Sequence, residues 1–571
     1  MKQFIVSAAL LLSVTAGFAC TNLIVTKGAT TDGSVLVSDV ADSHNRYGVL
    51  DFKLAGRHKP GEMRAVYQWG SDARGPFRYC GSIPEAPYTY NVMSNMNEYQ
   101  VTIGETTYNG RYKELQDTTA ILDYGSIMNI CLQRSKTARE AILMFAALTD
   151  EYGYDSTGES LSVADPEEAW IMEVMPRKPK YDANGVNTNK GIVYVAIRIP
   201  DGCICAHANC ARITTFPLND PENCLYSKDV ISQARELGWY DGPDEEFSFT
   251  DVYCPITSYS LLRSCELRVW SFFNRYGDLD MYQYLDYVTG EDPTHRMPLY
   301  VKAKEKISVQ MLAEMMRDHY EGTPFDMRKG VAAGPQETPY RFRDNDWTVD
   351  GVKYRNERAI AMQQAGFWFI SQCRGWLPRE VGGVIWFAVD DPGTAPLTPV
   401  YASAKAISNH YAFGNGSHVE YSPTSMWWMC NRIAQFAYLN YRNVGNEVRE
   451  VIRAHEAEMV EKVAAADEEA LALLKKSDKK AVKYMTKFSV AQQDALFEKW
   501  DKLDKYLLVK YVDGNIKKQN PDGSFVVFPH AYQGKDHFVP KSPDVPGLGE
   551  AYKRAVVSET GDFLKEKKMK K

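Results

Sequence analysis

Beyond its N-terminal segment, the 571-residue chain has no uninterrupted apolar run of about 18 residues, which excludes a transmembrane helix from the body of the protein. It also lacks a strong excess of either charge. Against 66 Lys and Arg stand 73 Asp and Glu, a formal net charge of −7, so no broad cationic surface is available to nucleic acid. The short basic end "FLKEKKMKK" reads as a solvated helix face. No internal repeat is evident, which excludes a solenoid or propeller built from copies of one unit.

What is present begins at the N-terminus. Met1 to Gln3 carry one positive charge, Phe4 to Val14 form an apolar run, and Gly17-Phe18-Ala19 offers small residues at the two positions a signal peptidase reads. This pattern predicts a signal peptide over residues 1–19, export to the bacterial periplasm or the medium, and a mature chain that starts at Cys20. The remaining length suffices for about two to four ordinary domains or one large domain with insertions. Eleven cysteines occur. With Cys20 set apart, the other ten can pair in an oxidising compartment, with connectivity open, or remain buried thiols.

Along the chain, "TNLIVTKGA" and "SVLVSDVADS" alternate like strands and enclose the turn "TDG", where Gly33 is free to take a positive φ; a hairpin starting at Cys20 is expected. Further strands are expected in "YNVMSNM", "QVTIGETT", "AWIMEVMP", "GIVYVAIRIP" and "GCICAHANC". "KTAREAILMFAALTDEYG" is the clearest helix, with Thr137 and Glu140 spaced as a capping box. From about Val451 to Val509 the chain turns charged and helix-prone. Met459, Val463, Ala470 and Leu474 recur at helical spacing, as do Leu496, Trp500, Leu503 and Leu507, and Ser489 with Gln492 suggests a second capping box.

A cysteine at a mature N-terminus has chemistry of its own. The thiolate is the nucleophile, an ordinary thiol ionises near pH 8.5, and a free α-amine with pKa about 7.7–8.0 on the same residue can take the thiol proton. Cleavage after Ala19 is then activation as well as maturation. Two other readings compete: lipidation of Cys20 as in an exported lipid-anchored binding protein, although Gly17 stands where lipoprotein signals usually carry Leu, and an ordinary disulfide cysteine.

The run "CTNLIVTKGATTDGSVLVSDVADSH" followed by "MSNMNEYQVTIGETT" resembles the N-terminal-nucleophile dipeptidases, cysteine peptidases related to penicillin V acylases and bile salt hydrolases. "HANCARI", "HYEGTPFDMRKGVAAGP" and "LPREVGGVIWFAVDDPGTAPLTPVY" extend the likeness to about Ala412. The resemblance implies an α+β fold, a four-layer αββα sandwich of two stacked antiparallel sheets, over residues 20–420, with a mainly helical extension over 421–571. It implies dipeptide hydrolysis without metal or organic cofactor. Cys20 is then the nucleophile and Asp42 the acid beside its amine. Asn97 and Asn209 are the oxyanion donors, and Arg268 is the arginine near the nucleophile, with Arg263 an equal alternative. Several relatives place Arg three residues before the acid matched by Asp42, whereas this chain has Asp39, suggesting a pocket that favours a positive group such as a peptide's free amine. An acylase acting on penicillin V or bile-salt-like amides would share every catalytic residue. The expected partner is a dipeptide or small amide, with a homo-oligomer open.

Cys203, Cys205 and His207 alternate along a strand with Cys210 just beyond. Structural zinc sites usually use two close pairs split by a longer loop, so no metal is expected here.

Overall fold

The computed structural model describes residues 20–69, 78–256, 258, 260–339, 345–526, 530–533, 537–540 and 547–567. The expected signal segment, residues 1–19, lies outside them.

The expected hairpin forms. Thr21–Val25 pairs antiparallel with Val35–Asp42, setting Leu23 opposite Ser38. The turn closes because Gly33 takes φ 79° and the Asp32 carboxylate accepts from the Ser34 N–H and hydroxyl at 3.0 and 2.6 Å. Every residue of both strands is buried, so alternation here separates two packed faces rather than core from solvent. Leu23, Val25, Leu36 and Val40 enter one core, while Ile24, Val35 and Val37 enter another.

This hairpin lies inside a seven-stranded antiparallel sheet. Its spatial order is Tyr300–Lys302, Cys203–His207, Thr21–Val25, Val35–Asp42, Ala365–Cys373, Gly383–Val389, Thr398–Tyr401. A second, eight-stranded antiparallel sheet runs Cys224–Tyr226, Ile192–Arg198, Ala169–Pro176, Gly158–Ala164, Thr102–Tyr108, Met96–Asn97, Val92–Met93, Phe52–Lys53. Hydroxyl and imidazole contacts join the two sheets. The Thr102 and Ser371 hydroxyls meet at 2.7 Å, and His207 bonds Thr106 Oγ1 through Nδ1 at 2.6 Å and Ser162 Oγ through Nε2 at 2.7 Å. Gly104 marks a close approach, since a Cβ there would stand 2.0 Å from Asn22 Oδ1.

Helices bury the remaining sheet surfaces. Ile127 and Ile130 of Tyr124–Arg134, with Ile142 and Phe145 of Ala138–Tyr152, pack with Trp170 and Met172 of the eight-stranded sheet. Residues of Glu266–Tyr276, Val309–Met316 and Met426–Leu439 join Leu36, Val40 and Trp368 of the seven-stranded sheet in another core. The C-terminal helices Asn446–Leu474 and Asp478–Lys510 enter that core through the expected stripe: Met459, Val463, Ala470, Leu496, Trp500, Leu503 and Leu507 are buried, and Leu474 is only partly buried against it.

Both capping boxes need correction. Thr137 does cap Ala138–Tyr152, its hydroxyl accepting from the Glu140 N–H at 3.1 Å, but Glu140 Oε2 accepts from the Lys136 N–H at 2.7 Å, one residue beyond the box position. Ser489 lies in the middle of Asp478–Lys510. Its hydroxyl donates to Met485 O at 2.9 Å and accepts from the Tyr401 N–H at 3.2 Å, so a spacing suited to a cap serves helix-to-sheet packing instead.

Candidate active site

Cys20 directly precedes the strand Thr21–Val25, whose first residue, Thr21, pairs with Val40, two positions before Asp42. Its side chain shares a face with Asn22 and Ile24. It is 6% exposed, on the wall of a cavity of about 700 Å³ whose polar lining includes Asp39, Arg46, Asn95, Glu105 and Tyr124.

The Arg268 guanidinium fixes the backbone at this point. From the helix Glu266–Tyr276 it donates to Cys20 O at 2.8 Å, Thr21 Oγ1 at 2.7 Å, Ala208 O at 3.1 Å and Asn209 Oδ1 at 2.9 Å, while its Nε donates to Ser264 O at 2.8 Å. This planar fork is buried and ties three segments together. Arg263 instead lies 3.9 Å from Glu357 with its side chain 35% exposed, so of the two arginines it is Arg268 that meets Cys20.

Asn209 takes φ 60°, in the left-handed region that asparagine tolerates, which turns the chain sharply after the strand Cys203–His207. Its amide donates to Thr107 O at 2.8 Å and accepts from Arg268.

Asn97 does not fit the role expected for it. Its Nδ2 donates to Leu132 O and Ser135 O, both at 2.7 Å, and its Oδ1 accepts from the Tyr99 and Val101 N–H groups at 2.9 and 3.0 Å. An amide has two hydrogens, and both are directed at backbone carbonyls in a fully buried turn. Asn97 therefore holds the "MNEYQ" turn to the helix Tyr124–Arg134 and has no donor left for an oxyanion. Asn95, two residues earlier, lies on the cavity wall, as does Asn129; the Asn95 Nδ2 donates to Ile103 O at 2.8 Å.

Asp42 is buried, with Oδ2 accepting from Arg358 at 3.4 Å and Oδ1 without a hydrogen-bond partner among the described residues. Burial pushes its carboxyl up to about 8, against the opposing pull of Arg358 and Arg268. Asp39 accepts from Asn22 Nδ2 at 3.2 Å and from the Glu105 N–H at 3.4 Å, and burial together with the charge of Glu105 raises its carboxyl well above the usual range.

Glu105 escaped the sequence reading. It stands in "GETT", on the strand Thr102–Tyr108, and lines the cavity with Asp39. Burial and then the charge of Glu105 raise the carboxyl of buried Glu159 well above the usual range. The available signal was an acidic residue in a strand otherwise made of Thr, Ile, Gly and Tyr. Burial and then the charges of Glu105, Asp39 and Asp42 raise the Cys20 thiol well above its ordinary value. With the Ala19–Cys20 peptide bond intact, the sulfur is thus held as a thiol near neutral pH.

His207, weighed as a metal ligand, has both ring nitrogens on hydroxyls, and burial lowers its pKa to about 3. The Cys205 thiol donates to Leu299 O at 3.2 Å. Hydrogen bonds inside the protein thus account for both side chains.

The sequence model of Peptidase family C69 matches residues 19–454. Among curated proteins, the chain is 23% identical over 524 residues to a probable dipeptidase B of Streptococcus pyogenes serotype M1, covering 88% of this chain and 94% of that protein. A probable dipeptidase of Salmonella dublin is 24% identical over 434 residues, 73% of this chain and 87% of its own. One from Latilactobacillus sakei is 24% identical over 413 residues, 69% and 76%.

Proposed function

The chain belongs to peptidase family C69, a family of cysteine peptidases, and from that membership we propose that it hydrolyses dipeptides with Cys20 as an N-terminal nucleophile. The observation that carries this reading is the junction at Cys20. The thiol borders a cavity of about 700 Å³, its backbone carbonyl is held by Arg268, and the neighbouring Asp42 keeps a buried carboxylate oxygen without a partner. An α-ammonium released by cleavage after Ala19 supplies a donor for that oxygen. It also adds a positive charge beside a sulfur that burial, and then the neighbouring carboxylates, otherwise keep protonated.

The reaction is acyl transfer to water. The α-amine takes the thiol proton, Cys20 attacks the amide carbonyl, and Asn209 with a backbone N–H stabilises the oxyanion. The ammonium then protonates the departing amine, and water hydrolyses the thioester. Asp39 and Glu105, on the cavity wall, receive the free amine of an unblocked substrate. The fold is read as a four-layer αββα N-terminal-nucleophile sandwich over residues 20–420, with a helical extension over 421–571. Residues 1–19 are read as an export signal whose removal exposes the amine.

Competition between unblocked and N-acetylated dipeptides tests the substrate class. The proposal expects strong preference for the unblocked form and a shift of the kcat/KM ratio towards one in Asp39→Asn. Preference for acylated amides would favour the acylase chemistry instead, and an unchanged ratio in Asp39→Asn would remove that residue from amine recognition.

A further inference from the structure

Arg46, Lys53 and Arg64 all line the wall of the Cys20 cavity, and they differ in what their charges meet. Lys53 Nζ donates to Asp51 Oδ1 at 2.7 Å, and Arg64 donates to Gln133 Oε1 and stands 3.8 Å from Glu85. Arg46 is 7% exposed, its Nη2 donates to the Tyr124 hydroxyl at 3.3 Å, and its Nε is buried without a hydrogen-bond partner. Among the described residues no carboxylate lies within 4 Å of it, and the Tyr124 hydroxyl is the only acceptor its guanidinium meets. A guanidinium withdrawn from water and left with one neutral acceptor has donors to spare and an unbalanced charge, which an arriving anion relieves.

The surrounding packing holds this group in place. The Arg46 stem crosses Gly366, where a Cβ would stand 1.9 Å from Arg46 Cγ, and the guanidinium lies 5.5 Å from the centre of the Trp69 ring. Trp69 is pinned in turn, its backbone N–H donating to Asp123 Oδ2 at 2.5 Å, while Asp123 Oδ1 accepts from the Ser126 N–H at 2.7 Å and caps the helix Tyr124–Arg134. Both oxygens of Asp123 are thereby spent on backbone. Burial raises the Tyr124 hydroxyl well above its ordinary pKa, so it keeps a hydrogen to donate while it accepts from Arg46.

We propose that Arg46, together with the Tyr124 hydroxyl, binds the free α-carboxylate of a dipeptide whose free amine meets Asp39 and Glu105 in the same cavity. The inference rests on the reading of Cys20 as a dipeptide hydrolase and deepens it by naming what recognises the second end of the substrate. Asp39 and Glu105 line the wall yet form no ion pair with Arg46 within 4 Å, so both poles are open to a ligand. The planar fork of an arginine matches a carboxylate with two parallel bonds. An extended dipeptide spans about 7 Å. One more residue would put a neutral amide where the carboxylate belongs and leave the guanidinium buried and unmatched, which limits the substrate to two residues.

The test compares kcat/KM for a free dipeptide and for its C-terminal amide, both with unblocked amines, on protein beginning at Cys20. The expected result is a preference of about 10²-fold for the free acid, falling to about threefold or less in Arg46→Gln, chiefly through a higher KM for the acid. Arg46→Lys, which keeps the stem and the charge but loses the fork, should give a ratio between the two. Binding is read separately by calorimetric titration of Cys20→Ala protein beginning at residue 20 with the same pair of ligands; the acid should bind more tightly and lose that advantage when Arg46→Gln is added. Equal kcat/KM for acid and amide in the unaltered protein would overturn the inference and leave dipeptide hydrolysis standing. So would an acid-to-amide ratio unchanged in whichever Arg46 variant folds, because an arginine that only balances the charge of Asp39 and Glu105 weakens both substrates alike. Acid-selective binding that depends on Arg46, without turnover of either compound, would keep the carboxylate site and sink the hydrolytic reading. Neither binding nor turnover would remove both.

Discussion

Asn97 and Asn209 lie in motifs of similar appearance, yet their amides make different contacts. Asn97 sends both hydrogens to the carbonyls of Leu132 and Ser135, while Asn209 donates to Thr107 O and its oxygen accepts from Arg268, whose guanidinium holds Cys20 O. Asn97→Ala should lower stability by about 2–4 kcal/mol, as two buried carbonyls lose their donors, with kcat of the folded protein nearly unchanged. Asn209→Ala should lower kcat by about 10²–10³ with a smaller change in the denaturation midpoint. Urea unfolding alongside single-substrate kinetics separates the two. Asp42 makes a prediction through pH. Its carboxyl titrates near 4 in the unfolded chain and at about 8 in the fold, so between those values the folded state binds the extra proton and stability falls as pH rises. In the uncleaved chain, Tm should therefore drop more steeply from pH 5 to pH 8 than it does in Asp42→Asn; equal slopes would place the titration elsewhere. At this scale the sequence put Cys20, Asp42, Asn209 and Arg268 forward together through their motifs, and the structure brings Arg268 onto Cys20 O and Asn209 Oδ1. It also put Asn97 forward, because residue type does not reveal where an amide's hydrogens point. Glu105 was missed because its importance comes from packing against Asp39 on another strand, 66 positions away.

At the scale of elements, the hairpin Thr21–Val25 and Val35–Asp42 was readable from β-branching and the Asp-Gly turn, as was the buried stripe of the long C-terminal helices. Periodicity reports which faces are apolar, and for these elements that was enough. It does not report which sheet each face meets. Both strands of the hairpin are buried throughout, and the position that lets the sheets close is Gly104, a residue with no side chain to signal its role. Gly104→Ala should force Asn22 away from Glu105 O, which it now meets at 2.9 Å, and disturb the Asn22–Asp39 contact at 3.2 Å. The expected outcome is a loss of about 1–3 kcal/mol in stability together with a lower kcat. Wild-type Tm and turnover in that variant would show that the sheets have room to spare. Ser489 illustrates the opposite error: its spacing to Gln492 suited a cap, but the surrounding helical periodicity ran straight through it.

For the molecule as a whole, the site is most informative for what it still needs. Asp39, Asp42 and Glu105 gather buried carboxylates near one thiol, while Arg268 donates to Cys20 O and Arg358 to Asp42. In the proposed reading, a cationic amine released at residue 20 completes this balance, so activity should follow processing of the N-terminus and not folding alone. The direct measurement is kcat/KM for one unblocked dipeptide, compared between protein beginning at Cys20 and folded protein retaining Ala19. The account predicts that the form beginning at Cys20 turns over and that the extended form loses at least about 10³-fold, since base and proton donor are both tied up in a peptide bond. Equal turnover by the two forms would contradict it, because the α-amine would then take no part in the chemistry.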